Sequence, residues 1–433
     1  MNVTALTTDF YELTMAQGYY LSGKRGPSVF DMFFRSHPFG GGYTVFAGLE
    51  PLLQCLETLQ FSTDDIDYLQ SSGIFQQSFL DYLAGFRFNG DVYAVPEGTV
   101  VFPNEPLMRV HADIVEAQLI ESLLLNIINF QTLIATKSAR IYTASGKGTV
   151  LEFGLRRAQG PDGAFSAARA AFIGGAAATS NTAAGKALGI PAKGTMAHSW
   201  VLAFDSELDS FNAYADIYPD SSIFLIDTYD TLGSGIENAI RAGKRLAEDG
   251  KRFGIRLDSG DLLELSRKVR GRLDKAGFTD AKIAVSNELD EWQIEKLVKA
   301  GAPIDIWGVG THLVTGGSDS SLTGVYKLAA KGSGNTPVMK VSENEEKSTN
   351  PGIKQVYRSM GKDGTYLRDI ITLDTEPAPE AGEGNKPLLD LYVMGGKRQK
   401  AAVPLRDIQS AAVSGLDKCP GSIRELKPNW IYP

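Results

Sequence analysis

The residue types able to do chemistry in this sequence sit directly after short apolar runs. His198 stands in Gly194-Thr195-Met196-Ala197-His198-Ser199-Trp200, between a run from Ile190 to Met196 that reads as a short strand and Ser199–Phe204, which opens a helix. Such a handover is where α/β enzymes carry reactive side chains. An imidazole there serves as nucleophile or acid/base, and equally as a helix cap or a satisfied core group. Six other runs end in polar residues: Phe153-Gly154-Leu155-Arg156-Arg157, Thr179-Ser180-Asn181-Thr182, Asp227-Thr228-Tyr229-Asp230, Asp258-Ser259-Gly260-Asp261, Ser286-Asn287-Glu288 and Gly308-Val309-Gly310-Thr311.

Each has a plausible task. Backbone N–H groups of Gly308, Gly310 and Thr311, with Ser286 and Asn287, suit a phosphate, although a lone Gly-x-Gly is more often a turn. Asp258 and Asp261 suit ribose hydroxyls or a water-bridged Mg²⁺; the competing reading is a helix N-cap and a first-turn acid. Phe153 with Arg156 suits a flat anionic ring, held by stacking and a cation, and Arg157 and Arg256 add positive charge. Asp227 can hold one nitrogen of His198 and leave the other nucleophilic. Any one of these could be a cap; seven in register on one face are hard to reach by chance.

The elements that would position them are strands at Val150–Phe153, Ala170–Ile173 (weak, or helix), Ala192–Met196, Ile223–Ile226, Phe253–Leu257, Ile283–Val285 and Ile304–Gly308. Helical patterns at Glu237–Glu248, Leu262–Lys275 and Glu291–Lys299 lie between them. A spacing of roughly 20 to 30 residues is that of a βα unit, and this many units favour a parallel barrel, closed or incomplete. Before them, Thr8–Met15 reads as a capped helix, Ser28–Arg35 as a strand, His37–Gly42 as a loop and Phe88–His111 as short strands with turns. After them, strands are expected from Gly324 and around 337–341 and 354–357, with a surface loop over Thr375–Pro387. Domains are expected at 1–136, 137–323 and 324–433. Lys137 and Arg140 could touch phosphate, but a solvated helix face is the plainer reading.

Composition narrows the class. With 43 Lys and Arg against 51 Asp and Glu, the net charge of −8 and the lack of a long basic run argue against nucleic-acid binding. Two cysteines, Cys55 and Cys419, cannot form a four-cysteine zinc site and read as reduced thiols. The first residues show no signal peptide, and Leu119–Ala135 is broken by polar residues, so it reads as a buried helix. A cytoplasmic protein without membrane partners is expected.

Taken together, Glu152-Phe153-Gly154-Leu155-Arg156-Arg157-Ala158-Gln159-Gly160-Pro161-Asp162-Gly163, Gly194–Ser199, Leu225–Tyr229, Ile255–Asp261 and Phe34–Leu49 closely resemble the nicotinate phosphoribosyltransferase family. The resemblance runs from about Thr8 to Lys354. It implies a type II phosphoribosyltransferase fold: an incomplete, about seven-stranded, parallel α/β barrel plus an N-terminal α/β sandwich completed by C-terminal segments. It implies nicotinate and phosphoribosyl pyrophosphate as substrates, Mg²⁺, and ATP hydrolysis coupled through a phosphohistidine at His198 oriented by Asp227. Phe153 and, from a second subunit, Tyr11 would stack on the pyridine, implying a homodimer with a shared active site. Arg156, Ser199, Arg256 and Asp258 would contact substrate. Asn181 aligns where the nicotinamide enzymes carry an aspartate, so the absent carboxylate favours the acid. Some family members carry a C-terminal cysteine metal site, which two cysteines do not support here. Rival readings are a nicotinamide or quinolinate transferase of this fold, a barrel hydrolase using Asp227 and Asp258 as an acid/base pair, and a non-catalytic binding protein.

Overall fold

The computed structural model describes residues 3–341, 349–379, 385–428 and 430–433. The chain divides into two compact units, Lys137–Gly317 and Met1–Thr136 with Ser318–Pro433.

The unit Lys137–Gly317 is built on a six-stranded sheet. Its strands are Thr149–Glu152, Ala178–Thr179, Ile223–Leu225, Gly254–Leu257, Lys282–Val285 and Ile306–Val309. Every pairing between them is parallel. All C-terminal ends therefore lie along one edge, and each strand is followed by a polar loop. The intervening helices bury one stripe each. In Ile236–Glu248 the buried positions are Ile236, Ala239, Ile240, Ala242, Gly243 and Leu246. Gly243 lacks a side chain because the Phe253 ring lies 2.2 Å from where a Cβ would sit.

Two strand expectations in this unit are corrected. Ala170–Ile173 is the buried last turn of the helix Gly160–Ile173; a helix buried all round shows no polar face to betray its period. The stretch Ala192–Met196 is not a strand. Ala192 makes a single parallel bridge to Thr179, after which no ladder continues. Pro191 has no N–H to donate, which shortens the pairing. The sheet thus has six strands and one rudimentary bridge where about seven strands are expected.

The second unit is built on a seven-stranded sheet with Pro27–Phe34 near its centre. That strand pairs antiparallel with Met108–Asp113 on one side and Gly324–Lys331 on the other. It is buried from Ser28 to Phe34, because both faces of the sheet are covered. Asp390–Met394 pairs with Asp91–Ala94, so C-terminal segments do complete the sandwich. The core beneath includes Leu13, Phe30, Met32, Leu52, Phe79 and Val110. A three-stranded sheet of Lys354–Met360, Tyr366–Leu373 and Lys386–Pro387 is tied in by a buried ion pair, Lys354 Nζ to an Asp31 carboxylate oxygen at 2.7 Å. The strand expected around 337–341 is only Thr336–Pro337, and part of the Thr375–Pro387 loop lies outside the described residues. The helix Glu121–Ala144 continues beyond the expected Leu119–Ala135. Among the described residues no helix is long and apolar enough to cross a membrane. Cys55 and Cys419 are both free thiols.

Candidate active site

A cleft of about 410 Å³ opens at the strand ends of the Lys137–Gly317 unit. Phe153, Arg156, His198, Arg256, Asp258, Ser286, Asn287, Gly308, Gly310 and Thr311 all line it. They come from four of the six strand ends and from the first residue of the helix His198–Leu202.

The histidine end is organised by one carboxylate. His198 opens the short helix His198–Leu202, preceded by the irregular stretch Lys193–Ala197. Its Nε2 lies 3.1 Å from Asp227 Oδ1, and the two side chains are 41% and 1% exposed. Asp227 follows the strand Ile223–Leu225, and its Oδ2 accepts from the Asp258 backbone N–H at 2.9 Å and the Ser259 hydroxyl at 2.6 Å. With Nε2 carrying the hydrogen toward Asp227, Nδ1 keeps its lone pair. Arg256 Nη1 donates to the Thr195 hydroxyl, tying the loop before His198 to the Gly254–Leu257 strand. Burial pulls the Arg256 pKa down from its ordinary value, against the carboxylates of Asp258 and Asp227. Arg256 Nε is buried without a partner, an unsatisfied donor of a kind proteins rarely retain except at functional sites.

At the other end, the Phe153 ring lies over Gly308, where a Cβ would meet ring carbons at 2.7 and 2.8 Å. Gly308 is therefore required to be glycine by the ring itself. The Phe153 backbone N–H donates to Val309 O at 2.8 Å. Gly154 has no room for a side chain either, with Val314 Cγ1 2.2 Å from the Cβ position. Arg156 and Arg157 follow in a short 3₁₀ turn, Leu155–Arg157. Next to them, Ser286 donates to Asp258 Oδ1, and Asn287 adopts φ 124°, a conformation that non-glycine residues hold mainly where function requires it.

Five expected site residues stand apart from this lining: Asp227, which is buried behind His198, and four others. Ser199 is exposed on the second position of its helix. Asn181 is 4% exposed and caps the helix Thr182–Leu188, its Oδ1 accepting from the Ala184 N–H at 3.2 Å. Asp261 caps Leu262–Lys275 through the N–H groups of Leu263 and Glu264, which is the competing reading given to it above. Tyr11 lies on the helix Phe10–Leu21 of the other unit, 49% exposed. Its hydroxyl donates to Glu12 at 3.4 Å, and partial burial with Glu121 and Glu12 nearby pushes the phenol pKa up.

Lys137 and Arg140 overturn the solvated-face reading. Their side chains are 4% and 1% exposed, and both bind Glu291, at 2.5 and 3.1 Å. A period argument cannot see this, because the helix Glu121–Ala144 is buried without interruption from Gln131 to Arg140. Thr195, Ser259 and Glu288 were not singled out from the sequence. Thr195 and Glu288 line the cleft, while Ser259 acts behind it. Thr195 belongs to the Gly194–Trp200 stretch, and Ser259 and Glu288 to polar strand ends, so their place in the chain is the available signal.

Among the described residues no group of three or more His, Cys, Asp or Glu side chains is arranged to hold a metal. The donor set at the mouth is two carboxylates, Asp258 and Glu288. That does not fit a metal caged by protein side chains, and it fits a Mg²⁺ delivered on substrate phosphates, which binds through one or two carboxylates.

Two family models match the chain: the nicotinate phosphoribosyltransferase N-terminal domain over residues 6–129 and the nicotinate phosphoribosyltransferase family over 149–359. A nicotinate phosphoribosyltransferase of Bacillus subtilis (strain 168) is 50% identical over 376 residues, 86% of this chain and 76% of that protein. Nicotinate phosphoribosyltransferase pncB2 of Mycobacterium tuberculosis (strain ATCC 25618 / H37Rv) is 44% identical over 100% of this chain and 91% of its own length. The crystal structure of human nicotinic acid phosphoribosyltransferase superposes with a TM-score of 0.87 at 30% identity, covering 98% of this chain and 96% of that one. With this cleft, this architecture and matches over nearly its whole length, the chain belongs to the nicotinate phosphoribosyltransferase family.

Proposed function

We propose that this protein joins nicotinate to phosphoribosyl pyrophosphate, giving nicotinate mononucleotide and pyrophosphate, and so feeds NAD salvage. One observation carries the reading: an aromatic face, half-buried and exposed guanidinium groups and a glycine-rich loop converge with an Asp-held histidine in one cleft.

Phe153 presents its ring to the pyridine, and Arg256 with Arg156 and Arg157 meets anionic groups. The pyridine nitrogen attacks C1 of the ribose as the C1–O bond to pyrophosphate breaks, and the leaving oxygen takes the electron pair. That transition state is cation-like, so placement and stabilisation of the departing anion do most of the catalysis. Gly308–Thr311, Ser286 and Asn287 are assigned to phosphate. A bound Mg²⁺ would neutralise pyrophosphate charge, with Asp258 as its protein ligand. Discrimination for the acid falls to these cations, with Asn181 contributing by leaving no carboxylate near Ser180.

ATP hydrolysis is coupled through His198. The free Nδ1 attacks the γ-phosphorus, ADP leaves, and Asp227 stabilises the imidazolium character at Nε2. Water later returns the phosphoryl group as phosphate. The protein acts as a homodimer in which Tyr11 of a second copy of the chain closes over the pyridine.

The test is turnover of nicotinate with phosphoribosyl pyrophosphate, with and without ATP. Nicotinate mononucleotide formation raised by ATP is expected; none with that pair would reject the reading. Nicotinamide or quinolinate as the better base would assign a related transferase instead. His198→Ala should lose ATP hydrolysis and the acid-labile ³²P from γ-labelled ATP; label retained in that variant rejects the phosphohistidine assignment.

A further inference from the structure

Beneath Phe153 lies a carboxylate that the proposed reaction does not use. Glu152 is 1% exposed and ends the strand Thr149–Glu152. Among the described residues no cation bonds to it. One oxygen accepts from the Gly154 backbone N–H, the other from the Thr179 hydroxyl. Thr179 in turn accepts, on the same oxygen, from the Asn181 backbone N–H at 3.0 Å. Backbone bonds run alongside: Ser180 N–H to Glu152 O at 2.8 Å, and Lys193 N–H to Thr179 O at 2.9 Å. A single buried side chain thus joins the turn that carries Phe153 and Arg156 to the turn that carries Ser180 and Asn181. Both turns open onto the cleft, through Phe153, Arg156 and Ser180.

A pair of hydrophobic residues would hold the two strands together as well as Glu152 and Thr179 do, and burying a carboxylate is unfavourable without compensation. The sheet alone does not explain it. What an apolar pair could not do is satisfy the Gly154 N–H at the point where the chain leaves the strand and the Phe153 ring is laid on Gly308. We propose that Glu152, acting with Thr179, is a positioning residue that sets the base-binding pocket: it fixes the Phe153 turn and the Ser180–Asn181 turn as one unit and thereby determines affinity for the pyridine base. The inference rests on the reading that Phe153 faces nicotinate.

In Glu152→Gln the shape is kept, and the amide can accept from only one of its two donors while its NH₂ faces the other. In Thr179→Val the hydroxyl is lost at constant volume, and Thr179→Ser restores it. Steady-state kinetics at saturating ATP, varying each substrate in turn, is the measurement. For Glu152→Gln and Thr179→Val we expect the KM for nicotinate to rise about tenfold, the loss of one hydrogen bond to a charged group. The KM for phosphoribosyl pyrophosphate should stay within about twofold, and Thr179→Ser should return the nicotinate KM toward wild type. A purely architectural role would loosen both substrates together, and that result overturns the proposal. So does an unchanged nicotinate KM in Thr179→Val, which remains informative if Glu152→Gln does not fold. Absence of nicotinate turnover in the wild type would instead reject the function proposed above, so the two failures are distinguishable.

Discussion

Two regions of the catalytic unit each bury one glutamate, and they hold it in opposite ways. Glu152, under the Phe153 turn, is bonded among the described residues by a backbone N–H and a hydroxyl. Glu291, at the start of the helix Glu291–Lys299, is clamped by Lys137 and Arg140, with the Arg140 guanidinium also over the Trp292 ring. Burial pushes the Glu152 carboxyl above its ordinary range, partly offset by its two hydrogen bonds. Burial acts the same way on Glu291 and is outweighed by Lys137 and then Arg140, so that its pKa ends below the ordinary range. The difference separates two uses of a buried charge. Paired with cations, it anchors an element; held by neutral donors at a strand end, it shapes a site without adding a cation that would compete for an anionic substrate.

The largest expected effect is on the clamp. Glu291→Gln leaves two cations buried without their carboxylate and should destabilise the protein by about 3–5 kcal/mol in denaturant titration; a change below about 1 kcal/mol would erase the contrast between the two regions. At the other region, Gly308→Ala forces the Phe153 ring from its seat. A displacement of this kind should lower kcat/KM for nicotinate on the order of 100-fold, with phosphorylation of His198 by ATP as the control that stays near wild type.

The pH dependence sharpens the comparison because the signs differ. A carboxylate with a depressed folded pKa contributes stability above its unfolded value and loses it as pH falls through the folded one. Glu291 therefore stabilises at neutral pH and less below the ordinary glutamate range, so the gap between wild type and Glu291→Gln should narrow on acidification. Glu152, with a raised folded pKa, favours the folded state most when protonated and weakens it as pH rises through that value. Stability of Glu152→Gln relative to wild type should therefore improve from acid to neutral pH; parallel curves for the two variants would contradict the assignment. The smallest effect is expected for Asn181→Asp. The new carboxylate can keep the helix cap and adds a buried negative charge one residue from the cleft, so the nicotinate KM should rise a few-fold, on the order of 1 kcal/mol or less; an unchanged KM would leave discrimination to the arginines alone.

Much of the catalytic unit was legible along the chain. The helix at Leu262–Lys275 is amphipathic with an Asp cap and emerges at the expected bounds. Strands such as Ile223–Leu225 are apolar runs closed by a polar turn, and their ends supplied Asp227, Asp258, Ser286 and Gly308 to one edge. Where the reading failed, the local signal was ambiguous. Ala170–Ile173 is apolar on every side, and Ile190–Met196 has strand composition with a proline that limits pairing. Asp261 and Asn181 have the residue types of both caps and ligands, and only coordinates separate those uses.

By itself, the sequence determined the alternation of strands and helices, the polar strand ends and the motifs that place the chain in its family, because periodicity and turn chemistry are local properties. Tertiary structure alone decided that Asp227 takes Nε2 of His198, that Phe153 requires Gly308, and that Lys137 and Arg140 are buried around Glu291. Those facts depend on pairs far apart in the chain, Glu291 standing 151 residues from Arg140. Burial and hydrogen-bond geometry between such pairs arise only when the sheet brings them together.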